Sequence, residues 1–170
     1  MSDLSSAPVP GPRAEDHVRG PEDAALVIVY ADFECPYCAA AADRLAAARV
    51  RVAFRHFPVR SSHPRAWPAA CAAEAAALQG RFWEMHDLLF ADQGRLEDPH
   101  LWDRARTLGL DLERFDADRR SAGVRARVRR DFESGVRGGV VTTPTLVAGG
   151  VVHVGRIDPQ SLEELSARTR

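Results

Sequence analysis

Two cysteines stand three positions apart, Cys35-Pro-Tyr-Cys38, between the apolar run Ala25-Leu-Val-Ile-Val-Tyr30 and an Ala-rich stretch at 39–49. The run is continuous and rich in β-branched residues, which suits a strand buried on both faces. The Ala-rich stretch suits a helix. The pair therefore opens a helix at the end of a strand. A spacing of three puts both sulfurs on one side of the first helical turn, within disulfide reach. Cys35 sits where unpaired N–H groups and the helix dipole favour a thiolate. Pro36 fits the first helical position, where its missing donor costs nothing. The chemistry expected is thiol–disulfide exchange, with an exposed, acidified nucleophile at Cys35 and a resolving thiol at Cys38. Pro36 and Tyr37, between the sulfurs, tune the pair. The competing use of a close cysteine pair is half of a metal site. No second CxxC and no close Cys/His pair completes a zinc set, so no metal is expected, and nothing calls for an organic cofactor.

A second feature lies far downstream. Val140-Val-Thr-Thr-Pro144-Thr places a proline immediately before an apolar segment of strand character. Proline beside a central strand is disfavoured unless the local geometry is special. A cis Thr143–Pro144 bond is one such geometry and would leave nearby backbone free to pair with an incoming chain. An ordinary trans loop proline is the other, and the local residues leave both open.

The elements that must hold these residues follow from periodicity. Val50-Arg-Val-Ala-Phe-Arg-His-Phe57 alternates, with Val50, Val52, Phe54 and His56 on one face, and Pro58 ends it. Strand, helix and strand in that order imply a parallel pair with a right-handed crossover. Helical period then runs from Pro64 to Gly138, in segments 64–79, 81–91, 99–108, 111–118 and 119–136, with Gly80, Gly94 and Gly109 as stops. Thr145–Ala148 and Val151–Val154, joined by Gly149-Gly150, read as a hairpin. Asp158 caps a last helix with Pro159 at its first position. The expectation is an α/β fold of β-α-β and β-β-α halves with an all-helical insertion between them. Residues 1–15 read as a flexible tail, 16–63 and 139–170 as the core, 64–138 as the insertion, and the last residues, from Ala167, as frayed.

Composition narrows the function classes. A chain of 170 residues with 45% hydrophobic residues is one domain able to bury a core without staples. Basic and acidic residues nearly balance, 23 against 24, which argues against a dedicated nucleic-acid binder. Every basic residue is Arg, which reads as compositional bias together with the abundant Ala. No apolar stretch approaches the roughly 20 residues of a membrane span. Three cysteines are too few for a disulfide-stapled scaffold or a four-cysteine zinc site. The first twenty residues lack a basic segment followed by an apolar one, so they do not read as a signal peptide. The expected compartment is the cytoplasm, where a close cysteine pair is redox-active rather than structural.

Several separated motifs together resemble one family. Val29-Tyr-Ala-Asp-Phe-Glu-Cys35-Pro-Tyr-Cys38 and Thr143-Pro144-Thr145 look like the two signatures of the thioredoxin fold in its DsbA-like branch. Arg55-His-Phe-Pro58, His63-Pro-Arg-Ala66 through Cys71-Ala-Ala-Glu74, and Arg81-Phe-Trp-Glu-Met-His-Asp-Leu-Leu-Phe90 resemble the same branch, over about residues 17 to 168. The resemblance implies a thioredoxin core carrying a helical insertion. It assigns Cys35 as the attacking cysteine, Cys38 as the resolving one, and Pro144 as a cis-proline facing them. It further implies that Pro36, Tyr37, Thr143 and Pro144 contact substrate, and that the partners are protein thiols and disulfides plus a separate redox partner. Relatives often carry a carboxylate six residues before the first cysteine; here that position is Val29, with Asp32 and Glu34 at the strand end instead. Glutaredoxins share the Pro-Tyr dipeptide, but their fold has no room for the helical block between Cys38 and Pro144.

Other residues weigh less. Cys71 reads as a small buried hydrophobe on a core face with Ala75 and Leu78, the alternative being a third redox thiol. Phe82, Trp83, Met85, His86, Leu89 and Phe90 form an apolar helical stripe, read as core. Phe33, Tyr37 and Trp67 are candidates for an exposed apolar rim beside the cysteines. His56, His63, His86, His100 and His153 show no ligand spacing, and His56 reads as a satisfied inward-facing side chain. Arg119, Arg120, Arg125, Arg127, Arg129 and Arg130 read as a solvated helix face balanced by Asp116, Asp118, Asp131 and Glu133. The alternatives to disulfide exchange with protein substrates are a non-catalytic interaction module on the same fold and a glutathione-linked enzyme of the same superfamily. The direction of electron flow stays open.

Overall fold

The computed structural model describes residues 8–167. The chain runs β1 (His17–Arg19), β2 (Ala25–Ala31), α1 (Pro36–Ala47), β3 (Val50–His56), then α2 (Ala66–Ala77), α3 (Phe82–Ala91), α4 (Asp98–Thr107), α5 (Leu112–Arg120) and α6 (Ala122–Arg137), and closes with β4 (Thr145–Ala148), β5 (Val151–Val154) and α7 (Pro159–Ala167). The five strands form one sheet in the order β1-β3-β2-β4-β5. β2 and β3 are parallel, with Val29 opposite Phe54; the other three pairings are antiparallel.

β2 is the central strand because both of its faces are apolar. Val27, Val29 and Ala31 join the larger core with Val50, Val52, Phe54 and the buried sides of α1, α2 and α3. Ile28 and Tyr30 point the other way, into a smaller core with Ala53, Phe57, Val140 and Val147, closed by Phe132 of α6. The all-helical block thus enters between the two halves of the expected α/β fold, and its helices pack on both sides of the sheet. The hairpin β4–β5 turns at Gly149 and Gly150, both with positive φ, as their lack of a side chain permits. The side chain of Asp158 accepts from the Ser161 amide at 2.7 Å and caps α7.

Four readings are corrected. The short strand β1 was not expected, since three residues carry no usable alternation. Its neighbour Asp16 is buried and pairs through both carboxylate oxygens with fully buried Arg55, at 3.0 and 2.8 Å. Arg55 also donates to the carbonyls of Pro10 and Gly11, so residues 10–16 are tied to the sheet rather than forming a free tail. Residues 1–7 of the expected tail lie outside the described residues, as does the expected fraying at 168–170. The break between the last two insertion helices falls at Ser121, not between Asp118 and Arg119. Arg119 ends α5 against Asp98 and Asp116, and the Ser121 hydroxyl caps α6 by accepting from the Val124 amide. Leu78, expected beside Cys71 in the core, is exposed at the end of α2. The stripe on α3 is core as expected, with Phe82, Met85, His86, Leu89 and Phe90 buried and Trp83 half-buried.

Candidate active site

Cys35 is the N-cap residue of α1, and Pro36 occupies the first turn. The turn that presents the pair is built by Asp32. Its carbonyl accepts from the Cys35 amide at 3.1 Å, and its own amide points at Cys38 Sγ at 3.4 Å. The buried Asp32 carboxylate accepts from the amides of Glu34 (2.7 Å) and Val59 (2.8 Å) and pairs with His63 Nδ1 at 2.9 Å. Glu34 is held by Arg65 of the loop before α2, through its amide and Nε. The two carboxylates near the pair thus fix the turn to the chain after β3.

From the opposite side comes the segment before β4. The Thr143–Pro144 bond is cis. The Thr143 carbonyl lies 3.5 Å from Cys35 Sγ, and both Thr143 and Pro144 are buried. The structure therefore brings Cys35, Cys38, Thr143 and Pro144 together at the end of α1. Tyr37 stands at the surface, 55% exposed, and Pro36 is exposed beside it.

Two expectations about this surface are corrected. Cys35 was expected exposed, but only 4% of it is. Thr143 lies against its sulfur and the first turn of α1 starts at it. Phe33 was expected on an apolar rim; it is 1% exposed, packed between the rings of Phe54, Phe90 and His86. Trp67 is half-buried, with the Arg60 guanidinium over its ring at 5.1 Å. Tyr37 alone of the three presents a large apolar face.

The two thiols differ sharply. A hydrogen bond from the Cys38 thiol to the Cys35 sulfur, aided by the Thr143 side chain and by the amides of Cys38 and Tyr37, outweighs burial and lowers Cys35 from 9.0 to about 6. Burial and the neighbouring sulfur push Cys38 well above the ordinary thiol range. Both shifts favour a thiolate at Cys35 beside a neutral thiol at Cys38. That arrangement attacks a disulfide through Cys35 and can close through Cys38. Among the described residues no cluster of three or more His, Cys, Asp or Glu side chains is placed to hold a metal.

Sequence reasoning missed Gln93, in the loop after α3. Its side-chain amide donates to the carbonyls of Phe33 (2.8 Å) and Cys35 (2.9 Å). A lone polar residue in a loop carries no periodic or motif signal. His17 was likewise unremarked; with His56 it flanks the buried Glu74. His56 is inward-facing as expected. Cys71 is buried in α2 as expected, and burial raises its thiol to about 11.

Comparison with known proteins agrees with this fold. Two solved structures share the fold. One is a thioredoxin-like oxidoreductase from Silicibacter pomeroyi, with a TM-score of 0.81 and 26% identity over 92% of each chain. The other is the thiol-disulfide exchange protein alpha-DsbA2 from Wolbachia pipientis, with a TM-score of 0.76 and 19% identity over 88% of this chain and 84% of that one. Among curated sequences, a Na(+)/H(+) antiporter NhaA 3 from Salinispora tropica is 46% identical across 94% of this chain, which spans 25% of that protein. A second, NhaA 1 from Mycolicibacterium vanbaalenii, is 45% identical over 86% of this chain and 25% of its own length. The chain thus spans about a quarter of the curated relatives it matches, and none of its described helices is long and apolar enough to cross a membrane. The thioredoxin family model matches residues 13–167, so the chain belongs to the thioredoxin family.

Proposed function

We propose that this protein is a thiol–disulfide oxidoreductase that exchanges disulfides with protein substrates through Cys35 and Cys38. The observation that carries the reading is the geometry of the pair: Cys35 is the N-cap residue of α1, the Asp32 amide points at Cys38 Sγ at 3.4 Å, and the Thr143 carbonyl before the cis Pro144 lies 3.5 Å from Cys35 Sγ. The lowering of Cys35 to about 6 and the raising of Cys38 accord with it. The Cys35 thiolate attacks a substrate disulfide, forms a mixed disulfide and releases one substrate thiolate. Cys38 then attacks Cys35, closes the intramolecular disulfide and releases the second substrate thiol. In the reverse direction a substrate thiolate attacks the oxidised pair at Cys35. A substrate chain lies on the exposed Pro36 and Tyr37 and reaches Thr143 and Pro144, which are buried beside Cys35. A separate redox partner resets the pair, with no metal or organic cofactor, and we place the reaction in the cytoplasm.

The test is disulfide exchange with a protein substrate, comparing the parent with Cys35→Ser. Loss of exchange supports the reading, and full exchange in Cys35→Ser ends it. The direction follows from the reduction potential of the pair in glutathione buffers. A value near roughly −120 mV marks a disulfide donor, and one near roughly −270 mV marks a reductant.

The likeness to a quarter of sodium–proton antiporters favours a second reading, a non-catalytic module that binds a membrane transporter. It predicts no turnover in the parent and undiminished partner binding in the Cys35→Ser, Cys38→Ser double variant. Saturable binding of glutathione would point instead to a glutathione-linked enzyme.

A further inference from the structure

Cys38 closes the catalytic cycle only if its thiol proton leaves, and the thiol is 1% exposed. A cavity of about 330 Å³ lies under α1, and Cys38 is among the residues that line it. The cavity exists because α1 offers the small side chains of Ala42 and Ala46 there, above Val29, Val50, Val52 and Phe54 of the sheet. Its wall includes Cys38 at one side, His86 of α3 at another, and Arg19, Gly20 and Pro21 toward the surface. The volume has room for several waters, each needing about 30 Å³, and Arg19, Cys38 and His86 are polar groups on its wall.

We infer that His86 accepts the proton of Cys38 across this cavity when Cys38 closes onto a mixed disulfide at Cys35. The inference rests on the exchange reaction proposed above. The lining decides it by elimination. Arg19 is a permanent cation, Cys38 is the donor, and every remaining lining residue is aliphatic, aromatic, glycine or proline. His86 is the one group in the wall that takes up a proton near neutral pH. Its Nδ1 is engaged with the Asp87 carboxylate at 2.8 Å, which fixes the ring and leaves Nε2 as the basic nitrogen. The ring is further held between Phe33, Phe54, Trp83 and Phe90.

The charged and titratable groups around His86 are Asp87 on its own helix, Arg19 from the end of β1, His56 from β3 with Glu74 of α2 behind it, and Cys38 from α1. Burial dominates and lowers the imidazole below its ordinary value, so it is neutral and able to accept. Asp87 opposes that shift and stabilises the imidazolium once formed, while Arg19 engages both oxygens of Asp87 and tempers it. In the step itself the Cys38 sulfur bonds to the Cys35 sulfur, and the bond from Cys35 to the substrate sulfur breaks. The substrate leaves as a thiolate, and the Cys38 proton passes through cavity water to His86. One disulfide is exchanged for another, so no outside oxidant or reductant enters.

The test uses the reduced protein and the chromogenic disulfide 5,5′-dithiobis(2-nitrobenzoate). Attack by Cys35 releases the first thionitrobenzoate; closure by Cys38 releases the second. In the parent the second phase should rise with pH through the His86 titration and then level. In His86→Gln it should be slower by about tenfold or more at neutral pH and keep rising with pH, while the first phase is unchanged. Imidazole added to His86→Ala should restore the second phase. If the His86 variants lose the first phase through misfolding, Asp87→Asn decides, since that side chain is 55% exposed and outside the core; its second phase should slow. An unchanged second phase in His86→Gln with its first phase intact, or in Asp87→Asn, overturns the assignment. Absence of any first phase in the parent would instead remove the exchange reaction itself.

Discussion

Gln93 donates to the main-chain carbonyl of Cys35 at 2.9 Å, from 58 residues further along the chain. The same amide donates to the Phe33 carbonyl at 2.8 Å. Two ends of the active-site turn are therefore fixed by one side chain from the helical block. This makes the insertion part of the active-site scaffold. Gln93→Ala removes both hydrogen bonds from a half-buried site. The expected loss is about 1–2 kcal/mol, read as a drop in Tm of about 4 °C. A thermal midpoint equal to that of the parent would show that the clamp contributes nothing.

The Cys35 thiolate should be visible directly. Its far-ultraviolet absorbance should appear with a midpoint near pH 6, set first by the hydrogen bond from Cys38. Cys38→Ala removes that donor, so the midpoint should move up, toward the ordinary thiol value of 9.0. The linkage has a definite sign. A group whose folded value is depressed stabilises the fold above its unfolded value, and that stabilisation is lost as pH falls through the folded value. For reduced protein the window runs from about 8.5, the free thiol, down to about 6. Cys38, raised in the fold, opposes this only at the top of the window, where its thiol begins to ionise in the unfolded chain. Relative to the oxidised form, the reduced form should lose about 3 kcal/mol across it. Parallel urea titrations of the two forms measure this, and equal slopes with pH would contradict it.

Cys71 should behave oppositely. It is buried in α2, and burial raises its thiol to about 11. Iodoacetamide at neutral pH should leave it unmodified in the folded protein and modify it fully in denaturant, as mass spectrometry of the peptides would show. Labelling of Cys71 in the native state at a rate near that of Cys35 would make it a third reactive thiol.

The site was legible in the sequence wherever local rules govern it. A strand, a CxxC and an Ala-rich helix in succession place Cys35 at a helix N-terminus without reference to the rest of the chain. The hairpin around Gly149-Gly150 and the Asp158 cap are equally local. What was not legible depends on distant partners. Phe33 follows an exposed-looking loop pattern but is buried because His86 and Phe90 of α3 pack against its ring. The break at Ser121 is decided by Arg119 reaching back to Asp98, a contact that helical period cannot show. Asp16 is tied to the sheet through Arg55, far away in sequence. The cavity below α1 is foreshadowed by the alanines but exists only once Val29, Phe54 and His86 are set beneath them.

Glu74 gives the last prediction and concerns the frame on which β3 carries the site. Its Oε1 lies 2.8 Å from His17 Nε2 and 2.7 Å from His56 Nε2, so one carboxylate joins α2 to β1 and β3. Burial would raise Glu74, but the hydrogen bonds from the two imidazoles outweigh it and hold the carboxyl well below the usual range. The contribution is therefore present above the ordinary value of 4.5 and lost only as pH falls below it. Glu74→Ala strips two imidazoles of their common acceptor in a buried setting and should cost about 3–5 kcal/mol at neutral pH. Glu74→Gln keeps the volume but not the charge, so it should be less damaging, and its stability should fall less steeply than that of the parent below pH 4.5. Urea midpoints for the three proteins, at neutral pH and in acid, resolve the two effects. If Glu74→Gln tracks the parent at both pH values, the ionised carboxylate is not what joins the strands, and shape alone would account for the packing of α2 on the sheet.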